Sequence, residues 1–180
     1  GDGASNEGAF HEALNMASVW KLPVVFVCEN NKYGMGTSVE RASASRDLSQ
    51  NGAAWGIPGE QVNGMDVASV REAGERAVAH CRAGKGPYLL EMKTYRYRGH
   101  SMSDPAKYRT REEVQKMRET SDCIETARKA LLDDFGVTEA DLKVIDDEVK
   151  AIVQDSADFA QESPEPPESE LMTDILVEVG

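Results

Sequence analysis

Cysteine and positive charge are both in short supply in this 180-residue chain. The three cysteines, Cys28, Cys81 and Cys123, are an odd number and too scattered for a disulfide framework or a zinc site, which points to a reducing compartment. Lysine and arginine total 20 against 32 acidic residues, a formal charge of -12 that argues against nonspecific binding to nucleic acid or an anionic membrane. Much of the acidic excess lies in the carboxyl-terminal third. There is no apolar run long enough to span a bilayer and no secretory leader. The 40% hydrophobic content is that of an ordinary globular domain with a sizeable core.

The first residues, Gly1-Asp2-Gly3, are turn chemistry, since glycine tolerates backbone angles closed to other residues and lets a ligand approach the main chain. With no initiator methionine and no strand before it, the turn reads as the start of a fragment cut at the carboxyl end of a missing strand. Phe10, Ala13, Leu14, Ala17 and Trp20 recur at helical spacing and predict a helix over 8–21, stopped by Pro23. The run LPVVFVCENN predicts a strand buried on both faces of a parallel sheet. The stretch 32–63 is rich in glycine and predicts an extended loop with one short helix around 47–54.

Asp66 caps a second predicted helix, whose stripe of Val67, Val70, Ala73, Ala77, Val78 and Cys81 ends at Gly84. GPYLLEMKTYRYRGH predicts a second strand, and HSMSDPAKYR a polar loop leading to a capping box of Thr110 and Glu113. Two further helices follow over 122–135 and 138–161. The second carries Leu142, Ile145, Val149, Ile152, Ser156 and Phe159 at coiled-coil spacing, in a run so short that packing on the domain is the better reading. SPEPPES is a linker and LMTDILVEV an amphipathic tail. The alternation of strands and helices predicts an α/β fold: a mostly parallel sheet flanked by helices, with a helical carboxyl-terminal extension.

A carboxylate inside a glycine turn suited to phosphate would repel that phosphate, unless a divalent cation joined the two. Magnesium prefers hard oxygen ligands and bridges carboxylates to phosphate oxygens, so Asp2 reads as a metal ligand. A second oxygen ligand is expected at the end of the next strand, where ENNKYG lies. His11, on the first helix, reads as a solvated or packing residue, and His80 likewise, late on a helix where a charged imidazole would suit the dipole. The alternating YRYR run is a poor case for nucleic-acid recognition in so acidic a chain.

GDG, a helix, an apolar strand and NN resemble the thiamin diphosphate-binding motif. The longer text VCENNKYGMGTSVERASAS with TYRYRGHSMSDP resembles the alpha subunits of the decarboxylating component of pyruvate dehydrogenase, a thiamin diphosphate-dependent 2-oxo acid dehydrogenase family. The likeness runs from Gly1 through the PEPP linker. It implies a thiamin diphosphate-binding α/β domain whose carboxyl-terminal part is 1–109, a helical extension over 110–162 and an acidic, proline-rich linker and tail over 163–180.

The resemblance also implies site residues. Asp2 and Asn31 would bind Mg2+ through side-chain oxygens and Tyr33 through its backbone carbonyl; Gly3 and Ala4 would lie against the diphosphate. Arg96 would meet the cofactor phosphates, a role that suits its planar fork. His100 matches the active-site histidine and Ser101 the loop serine that mitochondrial relatives phosphorylate. The loop is one residue shorter than theirs and has Lys107 near the place of a second regulatory serine, which favours a bacterial, cytoplasmic and unregulated subunit over a mitochondrial matrix one. The implied partners are a beta subunit, in an α2β2 heterotetramer, and the lipoyl domain of the dihydrolipoyl acetyltransferase. The implied reaction is oxidative decarboxylation of pyruvate. The branched-chain 2-oxo acid and acetoin dehydrogenase alpha subunits share the motif, and a noncatalytic assembly fragment is a further alternative.

Overall fold

A computed structural model describes residues 1–174; most of the tail expected from Leu171 onward lies outside them. The described chain divides into two compact units, Gly1–Ala130 and the residues from Leu131 on.

In the first unit the opening turn passes through a 3-10 turn, Ala4–Asn6, into helix α1, Gly8–Val19, which buries Leu14 and Ala17. Strand β1 is Val25–Asn30. A two-stranded hairpin follows, β2 (Tyr33–Gly34) against β3 (Thr37–Ser38), then the single-turn helix α2, Val39–Ala42. A 3-10 helix spans Leu48–Trp55, with the Asp47 carboxylate accepting from Ser49 N. Next come strand β4, Gly59–Asn63, helix α3, Val67–Arg82, and strand β5, Tyr88–Lys93. Asp66 caps α3 and Gly84, at φ 69°, closes its end, as the sequence predicts.

The main sheet is parallel throughout, in the order β1-β5-β4, and its register sets Cys28 beside Glu91 beside Gln61. As the central strand, β5 buries Leu89, Leu90, Glu91 and Met92. Alternation sends Leu90 and Met92 to one face, where Val62, Ala73 and Ala77 meet them. Leu89 faces the other way onto Leu14 and Ile57. Each such leucine contributes about 1.5–3 kcal/mol by leaving water.

Three expectations need correction. β1 is buried on one face only, with Val27 53% exposed, because β1 stands at the edge of the described sheet. The long loop contains β4, whose sequence GEQVN has little strand propensity; parallel pairing with β5 decides its conformation. The second strand ends at Lys93, so Arg96 stands beyond it.

Helix α4, Arg111–Ser121, starts from half a capping box: Thr110 accepts from Glu113 N, while the Glu113 carboxylate is taken by the Tyr95 hydroxyl. Helix α5 is Cys123–Asp134. In the second unit Gly136, at φ 67°, leads to the full capping box of Thr138 and Asp141 at the head of α6, Glu139–Glu162. No residue of α6 is buried. No helix among the described residues is long and apolar enough to cross a membrane.

Candidate functional site

Two turns meet at the carboxyl ends of the parallel strands. A methyl group on Gly3 would come within 3.3 Å of the Gly34 Cα, and one on Gly34 within 3.2 Å of the Gly3 Cα, so main chain is stacked on main chain. The opening turn and the KYG stretch after β1 are thereby one structure. They enclose a cavity of about 120 Å³ bounded by Asp2, Gly3, Gly34 and Thr37. Asp2 is 3% exposed; its carbonyl accepts the Ser5 hydroxyl at 2.7 Å, yet no described residue donates a hydrogen bond to its carboxylate. A carboxylate that lines a cavity and takes no hydrogen bond is placed to accept a cation there. Asn6, Thr37 and Ser43, which line the same cavity, carry oxygen atoms, the hard donors that suit magnesium, while Asn31 and Tyr33 lie outside its lining. Ala4 is exposed at the start of the following 3-10 turn.

The turn after β1 is held by its own side chains. Asn30 Oδ1 accepts Lys32 N at 2.9 Å and Asn31 Oδ1 accepts Tyr33 N at 3.2 Å, with Lys32 in the left-handed region at φ 72°. Beneath the turn lies Cys28, whose thiol burial pushes up to about 11, leaving it unreactive near neutrality.

Arg96 and His100 line a second, open cleft of about 750 Å³ together with Tyr95, Tyr97, Arg98 and Arg118. Arg96 Nη2 donates to the His100 carbonyl at 3.2 Å, and Arg96 Nη1 lies 3.4 Å from His100 Nδ1. A guanidinium only donates, so this contact is a hydrogen bond only where Nδ1 accepts, the tautomer with its proton on Nε2. Ser101, beside His100, is exposed and pairs with the Ser103 hydroxyl at 3.0 Å.

This loop has an anchor that its polar composition concealed. The Asp104 carboxylate accepts the His100 amide at 2.7 Å, the Ala106 amide at 2.8 Å and the Tyr108 hydroxyl at 2.8 Å, and the two amides lead in holding it below the usual carboxylate range. Arg109, only 7% exposed, donates through Nη1 to the Arg96 carbonyl and through Nη2 to the Asn31 carbonyl at 3.4 Å. Its guanidinium also lies 4.8, 5.1 and 5.3 Å from the ring centres of Tyr33, Tyr95 and Tyr108. Burial, followed by the bond to Glu113, raises the Tyr95 hydroxyl to about 12.

The expected residues thus fall in two places. Asp2 and Gly3 meet the turn of Tyr33 and Gly34, while Arg96 and His100 stand in the outer cleft; Arg109 joins the turn to the cleft. His11 and His80 pack edge-on against Phe10 and Tyr88. Sequence reasoning missed Arg109, Asp104 and Glu91. Only Glu91 carried a signal, a charge set between Leu90 and Met92 in an apolar strand.

A model of the family described as dehydrogenase E1 component matches residues 1–169. The chain is 63% identical over 177 residues to the pyruvate dehydrogenase E1 component subunit alpha of Rhizobium meliloti (strain 1021), covering 98% of this chain and 51% of that protein. Identity to the same-named protein of Zymomonas mobilis is 55% over 177 residues, 98% of this chain and 50% of the relative. Identity to the mitochondrial one of Sminthopsis macroura is 55% over 172 residues, 95% and 47% respectively. The chain spans about half the length of the curated relatives it matches.

Proposed function

Since the chain belongs to the dehydrogenase E1 component family, we propose that it is part of the alpha subunit of a pyruvate dehydrogenase. Its role would be oxidative decarboxylation of pyruvate, with passage of the acetyl group to a lipoyl arm of the acyltransferase. The relatives' names support pyruvate as the substrate. The observation that carries the reading is the buried Asp2 carboxylate, which receives no hydrogen bond where the glycine turn abuts Gly34.

In this reading Asp2 and Asn31 hold Mg2+ through side-chain oxygens and Tyr33 through its carbonyl, while Gly3 and Ala4 let the main chain approach a diphosphate. Bound thiamin diphosphate supplies the electron sink that lets a 2-oxo acid lose carbon dioxide. Arg96 adds positive charge at the mouth and fixes the His100 tautomer, so His100 Nε2 carries the proton it can give to the lipoyl acceptor. Arg109 keeps the Arg96 and Asn31 segments in register. A beta subunit completes the site in an α2β2 assembly, and the short loop with Lys107 supports a bacterial cytoplasmic setting.

Asp2→Ala in the complete alpha subunit, assembled with its beta subunit, should abolish magnesium-dependent binding of thiamin diphosphate by calorimetry. Unchanged affinity would remove the assignment.

A further inference from the structure

The middle of β5 holds a carboxylate with no charged partner. Glu91 is wholly buried, on the face it shares with Leu89. Its Oε1 accepts Asn30 Nδ2 at 2.7 Å; its Oε2 accepts Ser49 N at 3.1 Å and Gln61 Nε2 at 2.9 Å. The three donors are neutral and come from three segments: the end of β1, the start of the 3-10 helix and β4. No described cation lies within ion-pair distance of Glu91.

Burying a charge without a counterion is expensive, and a leucine would avoid that cost, as Leu89 and Leu90 do alongside. What a leucine cannot do is orient an amide. With Nδ2 committed to Glu91, the Asn30 side chain presents Oδ1 to Lys32 N, the bond that closes a turn whose central lysine is left-handed. The Lys32 carbonyl then accepts Val39 N at 3.0 Å, and Asn31 and Tyr33 follow in the same turn.

We propose that Glu91 is a positioning residue for the metal-holding turn: it fixes the Asn30 amide and through it the places of the Asn31 side chain and the Tyr33 carbonyl. The inference rests on the magnesium reading of that turn. Glu91 itself touches neither ion nor substrate.

The test uses the complete alpha subunit assembled with its beta subunit. Glu91→Gln keeps the shape but sets one acceptor oxygen and one donor nitrogen where three donors converge. Two readouts apply: Mg2+ titrated by calorimetry at saturating thiamin diphosphate, and hydrogen exchange at the Lys32 and Tyr33 amides in metal-free protein. Magnesium affinity should fall about 10–100-fold, as for other groups that orient a metal ligand, and the Lys32 amide should lose protection before the β5 amides do. A purely structural Glu91 would lower the melting temperature while leaving both readouts unchanged in the folded protein, and that result overturns the proposal.

Should Glu91→Gln fail to fold, Asn30→Ala leaves Glu91 two of its three donors and must still weaken magnesium; unchanged affinity again overturns the proposal. Asn30→Asp with Glu91→Gln reverses the sense of the hydrogen bond, and should bind magnesium better than Asn30→Asp alone. If the wild-type assembly bound no magnesium, the metal reading would fall, yet faster Lys32 exchange in Glu91→Gln would still show Glu91 setting the turn.

Discussion

The corner around Asp2 is made of main chain packed on main chain, whereas the loop bearing His100 is held by the side chains of Asp104 and Arg109. The corner depends on what is absent, a side chain at Gly3 and at Gly34. The loop depends on what is present, two charged groups that gather donors and carbonyls. An added methyl group should therefore break the first, and truncation of one side chain the second. On the proposed function, such a division would keep the part that faces the cofactor fixed while the outer loop responds to charge, as suits a loop at a binding mouth.

The largest effect is expected at Arg109. Arg109→Leu leaves the carbonyls of Arg96 and Asn31 without their donor and removes a cation from three tyrosine rings. Hydrogen bonds to a charged group contribute about 1.5–3 kcal/mol each, so roughly 3 kcal/mol of stability should go. In thermal melts of the assembled enzyme this should appear as a lowered Tm, with proteolytic cleavage moving first to 98–108. Arg109→Lys should recover little, because an ammonium lacks the planar fork that spans two carbonyls. Wild-type stability in Arg109→Leu would mean that Asp104 holds the loop without Arg109.

A smaller effect is expected at Gly34. Gly34→Ala places a methyl 3.2 Å from the Gly3 Cα, a main-chain atom that can give way only if the opening turn shifts. Such overpacking costs about 1–3 kcal/mol, and magnesium affinity should fall with it. Gly74→Ala, on α3, is the control: its methyl meets nothing within 4 Å, and helix propensity favours alanine by about 0.5–1 kcal/mol. Equal magnesium affinity in the two variants would show that the Gly3–Gly34 contact does not shape the site.

Much of the corner was legible in the sequence, because turns announce themselves by composition. Gly1-Asp2-Gly3 and Asn30-Asn31 are residues that few other local structures demand, and α1 and α3 followed from spacing and from the Asp66 cap. The rest depends on partners distant in sequence. Gly59–Asn63 becomes a strand only because β5 offers its edge, and Arg109 is buried only because Tyr33, 76 residues earlier, stacks on it. Glu91 was missed although it is a charge among apolar neighbours, and that its partners are Asn30, Ser49 and Gln61 is a matter of topology. In the polar loop, three bonds from within five residues of Asp104 make it the latch, which composition does not reveal.

The smallest effect concerns acid. Donors at His100, Ala106 and Tyr108 hold the Asp104 carboxyl below its usual range, so its folded-state pKa lies under the unfolded value of about 3.9. For a depressed pKa the stabilisation is complete above the unfolded value and is lost as pH falls through the folded one. Loop protection, followed by limited proteolysis between Arg98 and Arg109, should therefore hold from neutrality down to about pH 4 and fade below it. Acid-stable pepsin serves as the protease there. Asp104→Asn offers one acceptor oxygen where three donors converge, so cleavage should rise severalfold at neutral pH and lose most of its extra acid dependence. If wild type and Asp104→Asn show the same acid dependence, Asp104 is not the latch, and the loop's stability must be sought in Arg109 alone.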